Sequence, residues 1–558
     1  MKSEIAAILN KITNIDRETI SNLIEIPKDS SHGDYSFPCF VLARSLKKNP
    51  VLIAKDIAHK IKSKEFEKVV AVGPYVNFFL DTKKTASEVL KRISKEKNNY
   101  GKNAYGKGKK FMIEFSQPNT HKAFHVGHIR GTSLGESIAR IKEFSGYKII
   151  RANYSGDTGM HIAKWLWAYS NFHKGEEIKN DESWFAKIYV EAIQKLENNE
   201  KGESEAIEIN KKLDERKDSK LLNLWKSTRS KSISAWKPIY KDLDVNFDEH
   251  FFESHVEEKG KKVALELVKK GIAEISDGAT IVNLKDKNLG VWVLLRRDGT
   301  VLYSAKDLAL AQEKFSKYKI DESLVITSVE QNLHFQQLKK TLELMNFENW
   351  SKYDHIGYES VRLPEGKMSS RTGNNILYAD FKEELIGAAK EEISKRTQLS
   401  EKDLNERALA IGIAAVKYSM LKQDINKVII FDKDEAIRFE GDTGPYLLYS
   451  YARANSIIKK AENSNKTFKI LSIESHERAL INELSKFPEI VSECSNTFSA
   501  SGIAHYAYNL AQTFNEFYHA CPVIGSKEEG FRVELVRAFI QVMGNSLKLL
   551  GIPVIKEM

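Results

Sequence analysis

The chain has 558 residues, 42% hydrophobic and 29% charged, with a net charge of +10. That length exceeds what a single core fills, and the composition is globular, so disordered, collagen-like and disulfide-scaffold classes are excluded. No uninterrupted apolar run reaches the roughly 20 residues of a membrane span. Cys39, Cys494 and Cys521 show no CxxC spacing, which gives neither a disulfide framework nor a zinc finger. The start Met1-Lys2-Ser3-Glu4 is unlike a signal peptide, so a reducing cytoplasm is the expected location. The basic balance fits a polyanionic partner, although lysine is spread over the whole chain and a lysine-rich proteome gives the same sum.

Residues 1 to about 100 read as a small mixed α/β module. Ile5, Ile8, Leu9, Ile12 and Ile15 form a helical stripe, and Ala71-Val72-Gly73-Pro74-Tyr75-Val76-Asn77-Phe78-Phe79-Leu80 reads as strand. The polar, basic run from Tyr100 to Lys110 reads as a linker. Gly101 to Lys107 matches GxxxxGK, but Gly108 stands where a Ser or Thr should hold magnesium, and a strand follows where a helix should, so no P-loop is expected.

From Phe111 onward, strand-like runs alternate with helical stretches: Phe111 to Phe115, Tyr147 to Arg151, Val291 to Leu295, Val301 to Tyr303 and Leu324 to Ser328. Such alternation predicts a parallel sheet between helices. Between about residues 170 and 275 the pattern turns to long, charge-rich helix, so a helical insertion is expected to split the sheet. Beyond about residue 380 amphipathic helices take over, with Ala507, Leu510, Phe514, Phe517 and Tyr518 on one stripe. The expected architecture is α/β: a small α/β domain over 1–100, a Rossmann-like parallel-sheet domain over 101–430 split at about 170–275, and an all-α bundle over 431–558.

Two distant segments carry the chemistry. The first is Glu114-Phe115-Ser116-Gln117-Pro118-Asn119-Thr120-His121-Lys122-Ala123-Phe124-His125-Val126-Gly127-His128. It leads a strand through a Pro/Asn turn into a helix near Gly127, which sets His125 and His128 at a helix N-terminus, where N–H groups and the macrodipole favour phosphate. Gly127 leaves room for a nucleotide against the backbone. The second, Lys367-Met368-Ser369-Ser370-Arg371, is a Pro/Gly-flanked loop able to bring a counter-charge to the phosphates. Taken alone, a His pair spaced i, i+3 is more often a helix cap. The two segments together point to one triphosphate site.

These segments resemble the HxGH and KMSKS signatures of the class I aminoacyl-tRNA synthetases. The resemblance narrows with Glu114-Phe115-Ser116-x-Pro118-Asn119, Lys122, Tyr303-x-x-x-Asp307-Leu308-Ala309 and Gln331-Asn332-Leu333-His334. It continues into Glu440-Gly441-Asp442-Thr443-Gly444-Pro445-Tyr446 and Ala511-Gln512-Thr513-Phe514-Asn515-Glu516-Phe517-Tyr518-x-x-Cys521-Pro522-Val523. Together they are similar, essentially end to end, to the arginyl-tRNA synthetase family.

The resemblance implies a ligase that activates L-arginine with MgATP and transfers the arginyl group to the terminal adenosine of tRNA(Arg). It implies no zinc, no membrane and a monomer, an N-terminal domain touching the tRNA elbow, a C-terminal anticodon-binding bundle, and arginine activation only once tRNA is bound. ATP would be held by His125, Gly127, His128, Lys367, Met368, Ser369 and Ser370, with His125, His128, Lys122 and Lys367 catalytic. Asn119 and Gln331 would hold the α-amino end of arginine. Ser370 stands where the general signature has a second lysine, and Lys122 is the substitute cation. Gln117 and Thr120-His121 depart from the family's small or apolar residues.

The chemistry of the residues agrees. A guanidinium is a permanently charged planar fork, best met by carboxylates that accept two hydrogen bonds each. Glu114 and Asp307, both expected at strand ends, are the candidate pair, with Tyr303 over the alkyl stem. Ser304 to Asp307 also fits a capping box. Unstacked RNA bases need aromatic platforms, so tRNA contacts are expected from Tyr446, Tyr449, Tyr508, Tyr518 and Met558, with Tyr451 and Tyr506 as further candidates. The rival readings are a metallohydrolase built on His121, His125, His128 and Glu136, a small-molecule adenylyltransferase, and an RNA-binding scaffold.

Overall fold

The computed structural model describes residues 2–25, 27, 32–62, 66–364, 377–395, 397–461 and 468–557. They fall into two compact units, one within Met1–Lys97, Asn463–Ser485 and Glu516–Ala538, the other within Asn98–Glu462, Lys486–Asn515 and Phe539–Met558.

The first unit holds a three-stranded antiparallel sheet, β1 (Tyr35–Pro38), β2 (Phe66–Val72) and β3 (Tyr75–Leu80), in the order β1-β3-β2. The run 71–80, expected as one strand, is instead a hairpin. Gly73, at φ 55°, takes the left-handed conformation that reverses the chain, and Pro74 follows it. Helices Lys2–Thr13 and Pro50–Lys60 bury Ile5, Leu9, Ile53 and Ile57 against Val76 and Phe78.

The second unit is organised by a parallel sheet of β4 (Lys110–Glu114), β5 (Lys148–Ser155), β6 (Glu249–Phe252), β10 (Glu322–Ser328) and β11 (Tyr353–Tyr358), in the order β11-β10-β4-β5-β6. Phe111, Met112 and Ile113 are buried, as a strand covered on both faces requires. From β4 the chain builds outward to β5 and β6 on one side, then returns to add β10 and β11 on the other. That reversal opens a crevice at the C-terminal ends of β4 and β10. Helix Val126–Phe144 lies close over the sheet because Gly135 has no side chain; a Cβ there would come within 2.1 Å of the Phe115 ring.

Two expectations about this sheet need correction. Val291 to Leu295 belongs to a separate antiparallel sheet, β7 (Glu274–Ser276), β8 (Ala279–Leu284) and β9 (Gly290–Leu295). Val301 only bridges to Leu295, and a helix, Tyr303–Tyr318, already starts at Tyr303. The insertion consists of helices Met160–Phe172, Glu182–Leu196, Glu200–Glu215, Ser219–Ala235 and Lys237–Asp242, around an aromatic core of Trp165, Trp167, Trp184, Phe185 and Trp225. The parallel sheet resumes at β6, earlier than the helix-rich composition indicates.

After residue 380 the strand among the described residues is the two-residue β13 (Ile429–Ile430), paired with β12 (Val361–Arg362). Helices Glu401–Leu421, Gly444–Ala461, Ser475–Thr497, Ala500–Ala520 and Glu529–Leu549 make up most of the rest. Ala507, Leu510, Phe514 and Phe517 are fully buried, but Tyr518 lies off that stripe and is 37% exposed. No described helix is long and apolar enough to cross a membrane.

Candidate active site

A cavity of about 700 Å³ opens along the C-terminal edge of the parallel sheet, and Glu114, Asn119, His125, His128, Asp307 and Gln331 all line it. The turn from Glu114 to His128 and the distant Asp307 and Gln331 therefore meet in one crevice, at the topological reversal beside β4.

One end is formed by the turn after β4. Ser116, Gln117 and His121 adopt left-handed backbone angles, φ 74°, 51° and 64°, each costing on the order of 1 kcal/mol or more. The turn is held from outside. Thr120 N–H donates to Gly156 O at 3.0 Å and His121 N–H to Ser232 Oγ at 2.9 Å. The His121 ring is fully buried, 2.8 Å from Thr228 Oγ1 and packed on Trp165 and Phe185, which explains why this polar residue stands in an apolar position. Phe124 is gripped on both sides: its N–H donates to Glu182 Oε1 at 2.6 Å and its carbonyl accepts from Tyr378 N–H at 3.1 Å.

Helix Val126–Phe144 starts with His125 at its N-cap, and the two imidazoles close a reciprocal cap. His125 N–H donates to His128 Nδ1 at 3.2 Å, and the rings lie 3.9 Å apart. The ordinary explanation for this pair thus holds, and the pair still faces the cavity. Gly127 serves the cap directly, because a Cβ there would press on the His125 ring at 3.0 Å. Burial, with the Lys122 charge acting the same way, pulls His125 down to about 4. His128 is driven well below the usual imidazole range by burial and by His125 and Lys122. Both rings are neutral at pH 7. His128, with Nδ1 accepting, carries its hydrogen on Nε2 and offers a neutral donor.

The other end is richer in charge. Glu114 does not wait for a cation from outside, as a lone buried carboxylate would. Its Oε1 accepts from Gln117 Nε2 at 2.7 Å, and Lys314 Nζ lies 2.5 Å from Oε2, both side chains being almost fully buried. Burial raises its pKa and Lys314 opposes the rise. Asp307 sits in helix Tyr303–Tyr318, not at a strand end. Ser304 Oγ donates to Val293 O and not to the helix, so the capping box is not made. Asp307 Oδ2 accepts from His334 Nε2 at 2.7 Å, and Oδ1 is buried with no partner among the described residues. Such an orphan is an acceptor that a ligand donor can satisfy. Tyr154 OH, in the same cavity, is likewise buried and without a partner among the described residues, and burial pushes its pKa far up. Tyr303 is 54% exposed and packs its ring on His334.

Four residues were missed by sequence reasoning: Tyr154, Glu253, Lys314 and His334. Glu253 follows β6, lines the cavity, and is held by Lys306 at 3.0 Å and Thr158 at 3.2 Å. Its signal was a strand of only four residues inside a charge-rich region.

Lys122 lines an adjoining cavity of about 420 Å³ that shares Asn119, His125 and His128, and its ammonium lies 5.3 Å over the Tyr189 ring. Lys367, Met368, Ser369, Ser370 and Met558 lie outside the described residues. Tyr446 accepts from Asn515 at 2.9 Å and packs on Tyr508, while Tyr449 accepts from Arg453 at 2.8 Å. Tyr451 and Tyr506 are buried in the core. The metallohydrolase constellation does not form, since Glu136 is taken by Arg140 and Arg151 and His121 by Thr228.

This sheet, with an HxGH turn on its C-terminal edge, fits the class I tRNA synthetases, and residues 89–432 match the model of their class I (R) catalytic domain. Residues 1–80 match the arginyl tRNA synthetase N-terminal domain and residues 447–558 the DALR anticodon binding domain. The chain is 36% identical over 566 residues to the arginine–tRNA ligase of Clostridium acetobutylicum, with 100% of each chain covered. It is 36% identical over 567 residues to that of Lactobacillus acidophilus, again with 100% of each covered. The arginyl-tRNA synthetase of Thermus thermophilus superposes with a TM-score of 0.82 at 25% identity, covering 100% of this chain and 99% of that one. The chain belongs to the arginyl-tRNA synthetase family.

Proposed function

We propose that the chain activates L-arginine with ATP to arginyl-adenylate, releasing pyrophosphate, and transfers the arginyl group to the terminal adenosine of tRNA(Arg). The observation that carries this reading is the shared cavity: an Asp307 oxygen with no partner among the described residues and the neutral His125–His128 pair line the same space.

Asp307, with Glu253 and the Tyr154 hydroxyl near it, receives the guanidinium, and Tyr303 covers the alkyl stem. Glu114, paired with Lys314, forms the charged floor of the slot and not a free receptor. Asn119 and Gln331 hold the α-amino end, which points the arginine carboxylate at the α-phosphate for in-line attack. No protein nucleophile is required. His125 and His128 donate hydrogen bonds to the phosphates at the helix N-terminus, Gly127 keeps that turn open, and Lys122 and Lys367, with Met368, Ser369 and Ser370, neutralise the leaving pyrophosphate.

Magnesium would be carried on the ATP phosphates, whose charge it screens. The donor set fits that, because Glu114, Asp307 and Glu253 are each already tied to Lys314, His334 and Lys306. For tRNA, Tyr446, Tyr449, Tyr508, Tyr518 and Met558 supply contacts from the C-terminal helices, which read the anticodon, and the N-terminal module meets the elbow. The enzyme works as a monomer in the cytoplasm, in keeping with three buried free thiols.

Arginine-dependent ATP–pyrophosphate exchange, measured with and without tRNA(Arg), tests the reading. Exchange is expected only with tRNA present. Full exchange without tRNA contradicts the ordered mechanism, and none with tRNA contradicts the function.

A further inference from the structure

The partnerless oxygen of Asp307 is the end of a chain of hydrogen bonds. Trp292, on β9 and 4% exposed, directs its indole N–H at Nδ1 of His334, 3.2 Å away. His334, 6% exposed in helix Asn332–Leu344, meets Asp307 Oδ2 through Nε2 at 2.7 Å. An indole nitrogen can only donate, so Nδ1 of His334 must accept. The ring hydrogen of the neutral imidazole is then on Nε2 and is donated to Asp307. The chain therefore has a direction, from Trp292 through His334 to the carboxylate. His334 also packs its ring against Tyr303, with centroids 4.6 Å apart, so one imidazole holds two walls of the slot.

We propose that Trp292 and His334 are positioning residues for arginine recognition: the indole locks the imidazole in its Nε2–H tautomer, and the imidazole sets the Asp307 carboxylate plane so that Oδ1 faces the guanidinium. This rests on the reading of Asp307 as the partner of arginine. The physical need is plain. A guanidinium is a rigid planar fork, and a carboxylate free to rotate meets it with a poor angle and a larger entropy cost. Without the indole N–H, the imidazole can move its hydrogen to Nδ1 and present a lone pair to Asp307, or take a second proton and compete with arginine for the carboxylate. Either change weakens arginine and leaves the phosphate end of the cavity untouched.

The test is steady-state arginylation at saturating tRNA, with KM for arginine and for ATP measured separately on Trp292→Phe, His334→Gln, His334→Ala and the reference Asp307→Asn. His334→Ala is expected to raise the arginine KM about 10- to 100-fold, and Trp292→Phe, which keeps an aromatic ring but loses the N–H and part of the indole's bulk, about 3- to 10-fold. His334→Gln, whose amide N–H can replace Nε2–H, should fall between His334→Ala and the parent. ATP KM should stay within about twofold throughout. If His334→Ala does not fold, Trp292→Phe and His334→Gln carry the test. An arginine KM within about twofold of the parent in these variants, while Asp307→Asn is strongly impaired, overturns the inference and leaves the role of Asp307 standing. An equal rise in both KM values also overturns it, as general damage. A normal arginine KM in Asp307→Asn removes the reading beneath it.

Discussion

The two ends of the cavity answer opposite electrostatic demands. At the end we assign to arginine the carboxylates are mostly paired, Glu114 with Lys314 and Glu253 with Lys306, while Asp307 meets a neutral imidazole and, among the described residues, no cation. Two of the three carboxylates are matched by lysines, so Asp307 is the one left for a ligand with one fixed positive charge. At the end we assign to the phosphates the ligand is the more highly charged one, yet the wall presents two imidazoles that burial holds neutral. The difference follows from when the charge matters. A guanidinium carries the same charge before, during and after reaction, so matching it serves binding. Charge on the phosphates shifts during the reaction, and oriented N–H dipoles follow that shift without clamping the ground state.

Removing the unmatched charge should do the most damage. Asp307→Asn is expected to lower kcat/KM for arginine about 10³- to 10⁴-fold, with ATP KM little changed; a smaller loss than tenfold would mean that Glu253 carries the guanidinium. Next comes Lys314→Met, which strands Glu114 in the interior. Breaking a buried pair costs about 3–5 kcal/mol, and the low end applies here because Glu114 can escape by taking a proton. Urea unfolding should show that loss growing as pH rises, and Lys314→Met combined with Glu114→Gln should recover most of it. Failure to recover would show that Lys314 contributes through packing alone.

The contrast between the ends also governs what could be read from the sequence. The strand–turn–helix around His125 and His128 was legible because all its parts are contiguous, and strand burial and helix capping leave local patterns. Asp307 was found by type but misplaced, since Val301 to Tyr303 has strand composition and yet ends in an N-cap at Leu302. Lys314 and His334 were invisible as partners. Lys314 falls at a helical position whose apolar neighbours read as core, and its mate lies on β4, brought near only by the β4–β10 pairing and the helix packed on it. Glu253 was lost because β6 is short and sits behind the insertion. Ion pairs across elements leave no periodicity, so charge matching is the part of the site that only the fold discloses.

At the phosphate end, Lys122→Ala is expected to slow adenylate formation about 10- to 100-fold with arginine KM unmoved. A nearly normal rate of pyrophosphate exchange would remove Lys122 from the mechanism and leave the neutral donors and Lys367 to act alone.

The smallest expected effect concerns the brace behind the His turn. Glu182, 7% exposed, meets the Phe124 N–H through Oε1, and Oε2 has no partner among the described residues. Burial lifts its pKa to about 7; the Phe124 N–H opposes the rise, and Asp181 and Asp380 add to it. The unfolded value lies near 4.5. Between those two values the native state binds more proton than the unfolded chain, so this group's contribution is full below pH 4.5, falls as pH rises, and is gone above 7. The shift corresponds to about 3 kcal/mol lost over that window. Glu182→Gln keeps an acceptor for Phe124 N–H, a weaker one, and cannot ionise. It should therefore be more stable than the parent at pH 8 by about 1–2 kcal/mol and show a flatter stability profile between pH 4.5 and 7. Denaturant titrations across that range measure both quantities. An unchanged slope would mean that Glu182 stays ionised in the fold, and the phosphate end would then hold a buried charge like the arginine end does.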